Sequence, residues 1–411
     1  MKHVVQKYVI RIIATLVVLI SSIVLISFII YPSDYVLRLL RWGDADVFDH
    51  LKFPKHNINS AAPTFYFKKS LNEAGVCTLF EKSSIIDNLD KFLAKTRTQA
   101  FIVILNDTIL YEKYFSGANR DTIVTSFSVA KSFTSAIIGI AIKEGHIKSA
   151  SDPITKYLPE LKKRDPAFSK ISIRDLLMMS SGIRYEEFPF LNGDDAKTYY
   201  YPDLRNLALN QTKIIDPPAK YFHYNNYHPL LLGLIIERAT GTTVAAYLQE
   251  KIWKPLGMEY TASWSTDSQS TQFEKMESGI NARAIDFAKF GRLYLKKGNW
   301  HGKQIIPAHW ISESIEKDQS TDDNVYYPND FIFKSGKGYY KYMWWGLLRN
   351  GKDFDFAALG NHGQFIYISP SQNLIIVRNG EKYGVSSLEW MNLFYGFAGK
   401  VDVLLSQEHE K

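Results

Sequence analysis

The N-terminus places the tightest constraint on what this chain can become. Residues 12–31 (IIATLVVLISSIVLISFIIY) form a run without a single charged residue. A helix of about twenty residues rises about 30 Å, the thickness of a bilayer's hydrocarbon core. Lys2, Lys7 and Arg11 precede the run. Positive charge ahead of an apolar span predicts that the N-terminus stays in the cytoplasm and that everything after it is exported. A cleaved signal peptide has an apolar region of about 7–15 residues and a small-x-small site after it. This run is longer and ends in FIIYPSD, so the expectation is an uncleaved signal-anchor covering residues 1–31, with its helix at 12–31.

The remainder reads as globular. Apolar residues make up 46% of the 411 and charged residues 22%, which is the balance of a chain able to bury a core. The single cysteine, Cys77, excludes an intramolecular disulfide and any cysteine-rich metal site. The net charge of +7 comes without a basic stripe interleaved with aromatics, so it predicts a basic surface and no nucleic-acid partner.

Residues 32–70, punctuated by Pro32, Pro54 and Pro63, read as a linker or neck. Residues 84–94 have helical periodicity, with Ser83 or Ser84 as the cap. FIVIL and TILYEKYF flank Asn106-Asp107, which predicts a hairpin around a two-residue turn. Residues 128–144 (SVAKSFTSAIIGIAIKE) read as a helix apolar on most sides, stopped by Gly145 and therefore a core helix. Residues 150–275 read as mainly helical, with helices at 173–179 and 230–239, and strands return at 342–348, 364–369 and 374–378. The order of strands, helices and strands again predicts an α/β (α+β) sandwich with a mainly helical subdomain, all within residues 71–405.

The chemistry begins at Ser128-Val129-Ala130-Lys131. Positions i and i+3 share a helix face, so Lys131 stands over Ser128. A serine hydroxyl needs a base to become a nucleophile, and a lysine can serve when burial lowers its pKa. Lowering it from about 10.4 to about 7 takes about 4–5 kcal/mol of differential solvation. Ser314-Ile315-Glu316-Lys317 fits the same pattern but lies in a charged stretch, where the lysine would stay solvated and protonated. Tyr224-Asn225-Asn226 adds a phenol able to relay a proton and an amide able to hold the lysine and a substrate carbonyl. Tyr327-Pro328-Asn329 also matches, but it follows a polar run and precedes no helix.

These residues carry a family resemblance. The nucleophile helix, then SDPITKYLPEL and ISIRDLLMMSSGI, then FHYNNYHPLLLGLIIERATGTTVAAYLQEKIWKPLGM, INARAIDFAKFGRLYLKKG and ALGNHGQFIYISP, resemble the serine β-lactamase and penicillin-recognising family in family order from about residue 95 to 380. The likeness is to its class C, carboxylesterase and aminohexanoate-dimer hydrolase side. It implies a β-lactamase/transpeptidase-like sandwich of an antiparallel sheet flanked by helices. It also implies Ser128 as acylated nucleophile, Lys131 as base partner, Tyr224 as acid/base shuttle and Asn226 as polar support. A second oxyanion donor is expected on the backbone around Ala357 and Ala358.

Two departures bear on the substrate. Penicillin-recognising members carry Lys-Thr-Gly or His-x-Gly on the strand that grips the substrate carboxylate. Here the strand reads Asp355-Phe356-Ala357-Ala358-Leu359-Gly360, with His362 placed at the following turn. Met179 stands where many relatives have histidine before Ser-Ser-Gly. The expectation is therefore a serine hydrolase acting through an acyl-enzyme on a small-molecule or peptide ester or amide, with no cofactor and no metal. The alternatives are a penicillin-binding D,D-peptidase or β-lactamase, and a non-catalytic cell-wall or peptide-binding protein. Tyr199-Tyr200-Tyr201, Tyr339-Tyr340 and Trp344-Trp345 read as core or sheet-face aromatics rather than an acyl pocket. His223 and His228 read as turn or surface histidines, and Asp194-Asp195 lacks further ligand types nearby for a metal.

Overall fold

The computed structural model describes residues 2–319, 322–327, 333, 336–350 and 353–406. Pro328 and Asn329 of the second Y-x-N match lie outside them. The frame is an eight-stranded sheet. Across it the strands are Gly338–Lys341, Trp344–Leu348, Phe354–Gly360, Gln364–Ser369, Leu374–Gly380, Thr98–Leu105, Thr108–Tyr114 and Lys68–Lys69. Neighbours are antiparallel except the last pair. The sheet buries both faces, so side chains of either parity along a strand are apolar. Ile102, Ile104, Ile366, Ile368, Ile375 and Val377 enter one core, which the helices Val129–Lys143, Tyr227–Thr240 and Ala284–Leu295 share. Phe101, Val103, Leu105, Phe365, Tyr367 and Ile376 enter the other, under the helices Glu73–Glu81, Leu89–Lys95 and Ser387–Ala398. This is the expected sandwich of an antiparallel sheet between helices, with a largely helical stretch from about residue 150 to 260.

The hairpin forms where expected. Asn106 and Asp107 both have positive φ (52° and 61°), the twist a two-residue turn needs between right-twisted strands. The helix Val129–Lys143 is buried on nearly every side and ends before Gly145, whose φ of +80° only glycine adopts at low cost. The N-terminal helix runs Lys2–Ile30, and its stretch Val5–Ile30, with mean hydropathy 2.9, is long and apolar enough to cross a membrane.

Two expectations need correction. Residues 32–70 are not a free neck. Ser33–Trp42 is a helix that buries Tyr35, Val36 and Leu39 in the main core. Lys55–Ile58 pairs with Ala262–Ser265 in a second, four-stranded sheet completed by Ile280–Ala282 and Val124–Thr125. The helix expected over 84–94 begins only at Leu89, where Asn88 caps it by accepting from the Lys91 N–H at 2.9 Å. Asn supplies a side-chain acceptor as readily as Ser, so the cap moves without changing its physics.

Candidate active site

Ser128 sits on a sharp corner between the short strand Val124–Thr125 and the buried helix. The corner is made by Phe127, whose φ of +48° is strained for a bulky side chain. Neighbouring contacts hold it there. The Ser126 N–H donates to the Ile280 carbonyl at 2.7 Å, and the Phe127 ring packs 4.9 Å from the His362 ring. Ser128 therefore occupies the N-cap position without capping, its hydroxyl left free for other partners.

One turn on, Lys131 is 1% exposed. Its Nζ lies 2.8 Å from Ser128 Oγ and 2.9 Å from the Glu277 carbonyl oxygen. Burial lowers the Lys131 pKa to about 7, against the opposing pull of Glu277 and Asp195. Near neutral pH a substantial fraction of the amine is unprotonated, with its lone pair beside the Ser128 hydroxyl. Tyr224 places its ring 5.0 Å from Lys131 Nζ and lies parallel to Trp345 at 5.8 Å. Its phenol pKa is raised by burial, with a hydrogen bond to Ser128 pulling the other way. It is a neutral donor at pH 7.

Asn226 is near the centre, but not as expected. Its Nδ2 donates to the Tyr185 hydroxyl at 2.8 Å and to Asp195 Oδ1 at 3.0 Å, and Tyr185 in turn donates to the same carboxylate oxygen at 2.8 Å. Asn226 Oδ1 is buried without a partner. The amide thus does not hold Lys131; the Glu277 backbone carbonyl takes that place. A main-chain acceptor has no residue-type signature, so the sequence could not announce it. Asp195 was visible only as half of an acidic pair weighed for metal binding. Among the described residues no group of three or more His, Cys, Asp or Glu is placed to hold a metal.

A cavity of about 610 Å³ opens on Ser128, Asn226 and Asn361. Ala358 is not on its wall. It is fully buried within the sheet, paired with Ile366. Asn361, just past the end of that strand, is the lining residue. There Gly360 packs so closely that a Cβ would come within 2.3 Å of the Ser126 carbonyl. His362 does lie in the turn, with φ 59°, but its Nε2 reaches the Ala45 carbonyl at 2.9 Å rather than the cavity. It braces Ala45, which lines the cavity.

The aromatic runs divide. Tyr199 and Tyr200 line the cavity, whereas Tyr201, Tyr339, Tyr340 and Trp344 are buried and Trp345 backs Tyr224. His223 is exposed. His228, expected in a turn or at the surface, is instead buried in the first turn of Tyr227–Thr240, where burial pushes its pKa down to about 3. Its Nε2 lies 2.6 Å from Ser181 Oγ and its Nδ1 3.1 Å from Met179 Sδ, so it is a neutral brace behind the site. The second S-x-x-K match separates: Ser314 Oγ donates to the Trp310 carbonyl, and Lys317 pairs with Asp323.

The fold agrees with comparisons to known proteins. The family model described as Beta-lactamase matches residues 85–382. The chain is 25% identical over 328 residues to the 6-aminohexanoate-dimer hydrolase of Paenarthrobacter ureafaciens, covering 76% of this chain and 79% of that protein. It is 28% identical over 183 residues to a teichoic acid D-alanine hydrolase of Staphylococcus aureus (strain MRSA252), 44% of this chain and 42% of that one. A solved structure from Bacillus anthracis, described as a candidate 6-aminohexanoate-dimer hydrolase, superposes with TM-score 0.74 at 26% identity over 90% of this chain and 95% of that one. A class C beta-lactamase shares the fold, with TM-score 0.57 at 15% identity over 83% of this chain and 98% of that one. A matched model spanning most of the sandwich, and a fold shared with hydrolases across nearly the whole chain, establish that this protein belongs to the Beta-lactamase family of serine hydrolases.

Proposed function

We propose that the protein is a serine hydrolase that cleaves an ester or amide through a Ser128 acyl-enzyme, tethered to a membrane by its uncleaved N-terminal helix with the catalytic domain on the outer side. The observation that carries the reading is the 2.8 Å approach of a buried, pKa-lowered Lys131 to Ser128 Oγ. Unprotonated Lys131 takes the hydroxyl proton as Oγ bonds to the substrate carbonyl carbon. The resulting oxyanion is met by the Ser128 N–H at the helix start and a backbone N–H at Asn361. Tyr224 delivers a proton to the leaving oxygen or nitrogen and recovers one from Lys131 as the C–O or C–N bond breaks. Water then attacks the acyl-enzyme, gives its proton to the same pair, and Ser128 leaves with a proton restored. Asn226 lines the cavity, and its unpartnered Oδ1, buried just behind that wall, would accept an N–H or O–H of a substrate once the side chain turns toward it.

Charge narrows the substrate. Asp44, Glu187, Asp195 and Glu277 line the cavity, and among the described residues no lysine or arginine lines it. Glu277 is paired with Lys275 behind the wall. A carboxylate substrate would still meet Asp44, Glu187 and Asp195, with Lys131 as the cation near Ser128, so the site suits neutral or cationic esters and amides rather than penicillins or D-Ala-D-Ala ends. The test is hydrolysis of a panel of neutral, amine-bearing and carboxylate-bearing p-nitrophenyl esters by the full-length protein in detergent. Turnover of the first two, lost in Ser128→Ala, is expected. A preference for the carboxylate esters, or stable acylation by benzylpenicillin, would overturn the substrate assignment.

A further inference from the structure

We propose that the segment 187–192 rests in the lipid headgroup layer, so that the catalytic cavity opens onto the membrane interface and receives its substrate from there. The proposal rests on the anchor reading of the N-terminal helix and adds the orientation of the site. Three observations support it. The apolar stretch ends at Ile30, and the next residue, Tyr31, donates from its hydroxyl to Asn192 Oδ1. Tyr35, one turn later, donates to the Leu191 carbonyl at 3.1 Å. Asn192 and Leu191 are thus fixed at the level where the span leaves the hydrocarbon. Phe188 is four residues from Asn192, within about 14 Å even fully extended. The headgroup region adds about 5–8 Å on each side of the core, so this segment cannot stand far from it.

The side chains fit that position. Phe188 is 77% exposed, Phe190 45% and Leu191 36%, three large apolar groups within four residues, whereas exposed apolar side chains such as Leu51, Tyr66 and Ile215 stand apart from one another in the sequence. In water such a patch is costly. At a bilayer surface it inserts, its apolar area passing from water to the headgroup–acyl boundary. Tyr31 and Lys197, with Nζ 5.9 Å from the Tyr31 ring, supply the aromatic and cationic partners that headgroups attract. Phe188 and Phe190 also line the mouth of the cavity. A segment seated in the headgroups therefore brings the mouth to the level at which a lipid-linked or amphiphilic ester or amide carries its polar end.

The test uses the full-length chain with Cys77→Ser, reconstituted in phosphatidylcholine–phosphatidylglycerol vesicles. A bimane label is placed in turn at Phe188→Cys, Leu191→Cys, Leu19→Cys within the span, and Ile85→Cys on the far side of the sheet. Quenching by lipids spin-labelled near the headgroup is read at 188, 191 and 85, and by lipids spin-labelled deep in the acyl chain at 19, with circular dichroism confirming each fold. At least twofold quenching at 188 or 191, with none at 85, is expected, and either position alone suffices. Quenching at 19 with 188 and 191 behaving like 85 would overturn the orientation and leave the anchor standing. Absence of quenching at 19 would overturn the anchor, and this inference with it.

Discussion

Lys131 sets the scale of the chemistry at the level of single residues. Its pKa is lowered to about 7 in the fold, whereas an unfolded lysine titrates near 10.4. Between those values the unfolded chain binds a proton that the folded one does not, so stability contributed by this site rises with pH from about 7 to about 10. Below pH 7 both states are protonated and the full desolvation penalty remains. Lys131→Met removes that penalty. It is expected to raise the melting temperature at pH 7, by up to about 4 kcal/mol of stability, with the gain shrinking toward pH 10. The same variant should lose about 10³-fold or more in esterase activity. Scanning calorimetry at pH 7 and pH 10 measures the first and initial rates the second. A melting temperature that falls on substitution would contradict the buried, destabilising lysine. Ser128 and Lys131 were legible because the pattern S-x-x-K sits in an all-apolar helix, where an unpaired charge needs a reason. The Tyr185–Asp195–Asn226 network was not, because its members are 10 and 31 residues apart in the chain and meet only through the fold. Asp195→Ala is expected to leave the Asn226 amide held only by the Tyr185 hydroxyl and to lower activity by about 10–100-fold with little change in the fold, since it removes two hydrogen bonds to a charged acceptor. Unchanged rates would show that Asn226 needs no such support.

Elements place these residues through close approaches. The corner at Phe127 and the strand end at Gly360 touch where a Cβ on Gly360 would lie 2.3 Å from the Ser126 carbonyl. Gly360→Ala is expected to push the strand Phe354–Gly360 away from the nucleophile corner. Loss of about 10–100-fold in turnover, with the sandwich intact by circular dichroism, measures that displacement. Full activity would show that the strand end has room to give. Gly139, within the nucleophile helix, faces the Trp310 indole at 2.4–2.5 Å from a notional Cβ. Gly139→Ala should destabilise by about 1–3 kcal/mol through overpacking, read as a fall in denaturant midpoint. The hairpin and the nucleophile helix were legible because their signals are local: a two-residue turn, and an unbroken apolar run. The pairing of Lys55–Ile58 with Ala262–Ser265 spans about 200 residues of chain and leaves only a short, polar, proline-flanked segment to read. A strand of that kind acquires its conformation from its partner, which local propensity does not record.

At the scale of the whole molecule, charge and topology act together. The chain carries a net charge of +7, yet among the described residues its cavity is lined by four carboxylates and no lysine or arginine. The N-terminal helix leads directly into a helix packed in the core. Everything rests on one claim, that Lys131 activates Ser128. The most direct test is the rate at which a fluorophosphonate acylates the full-length protein as a function of pH, read by intact mass. A single adduct whose rate rises with a midpoint near pH 7, absent in Ser128→Ala and slowed about 10³-fold in Lys131→Met, is the predicted result. Labelling that persists in Ser128→Ala, or a rate indifferent to Lys131, would contradict it.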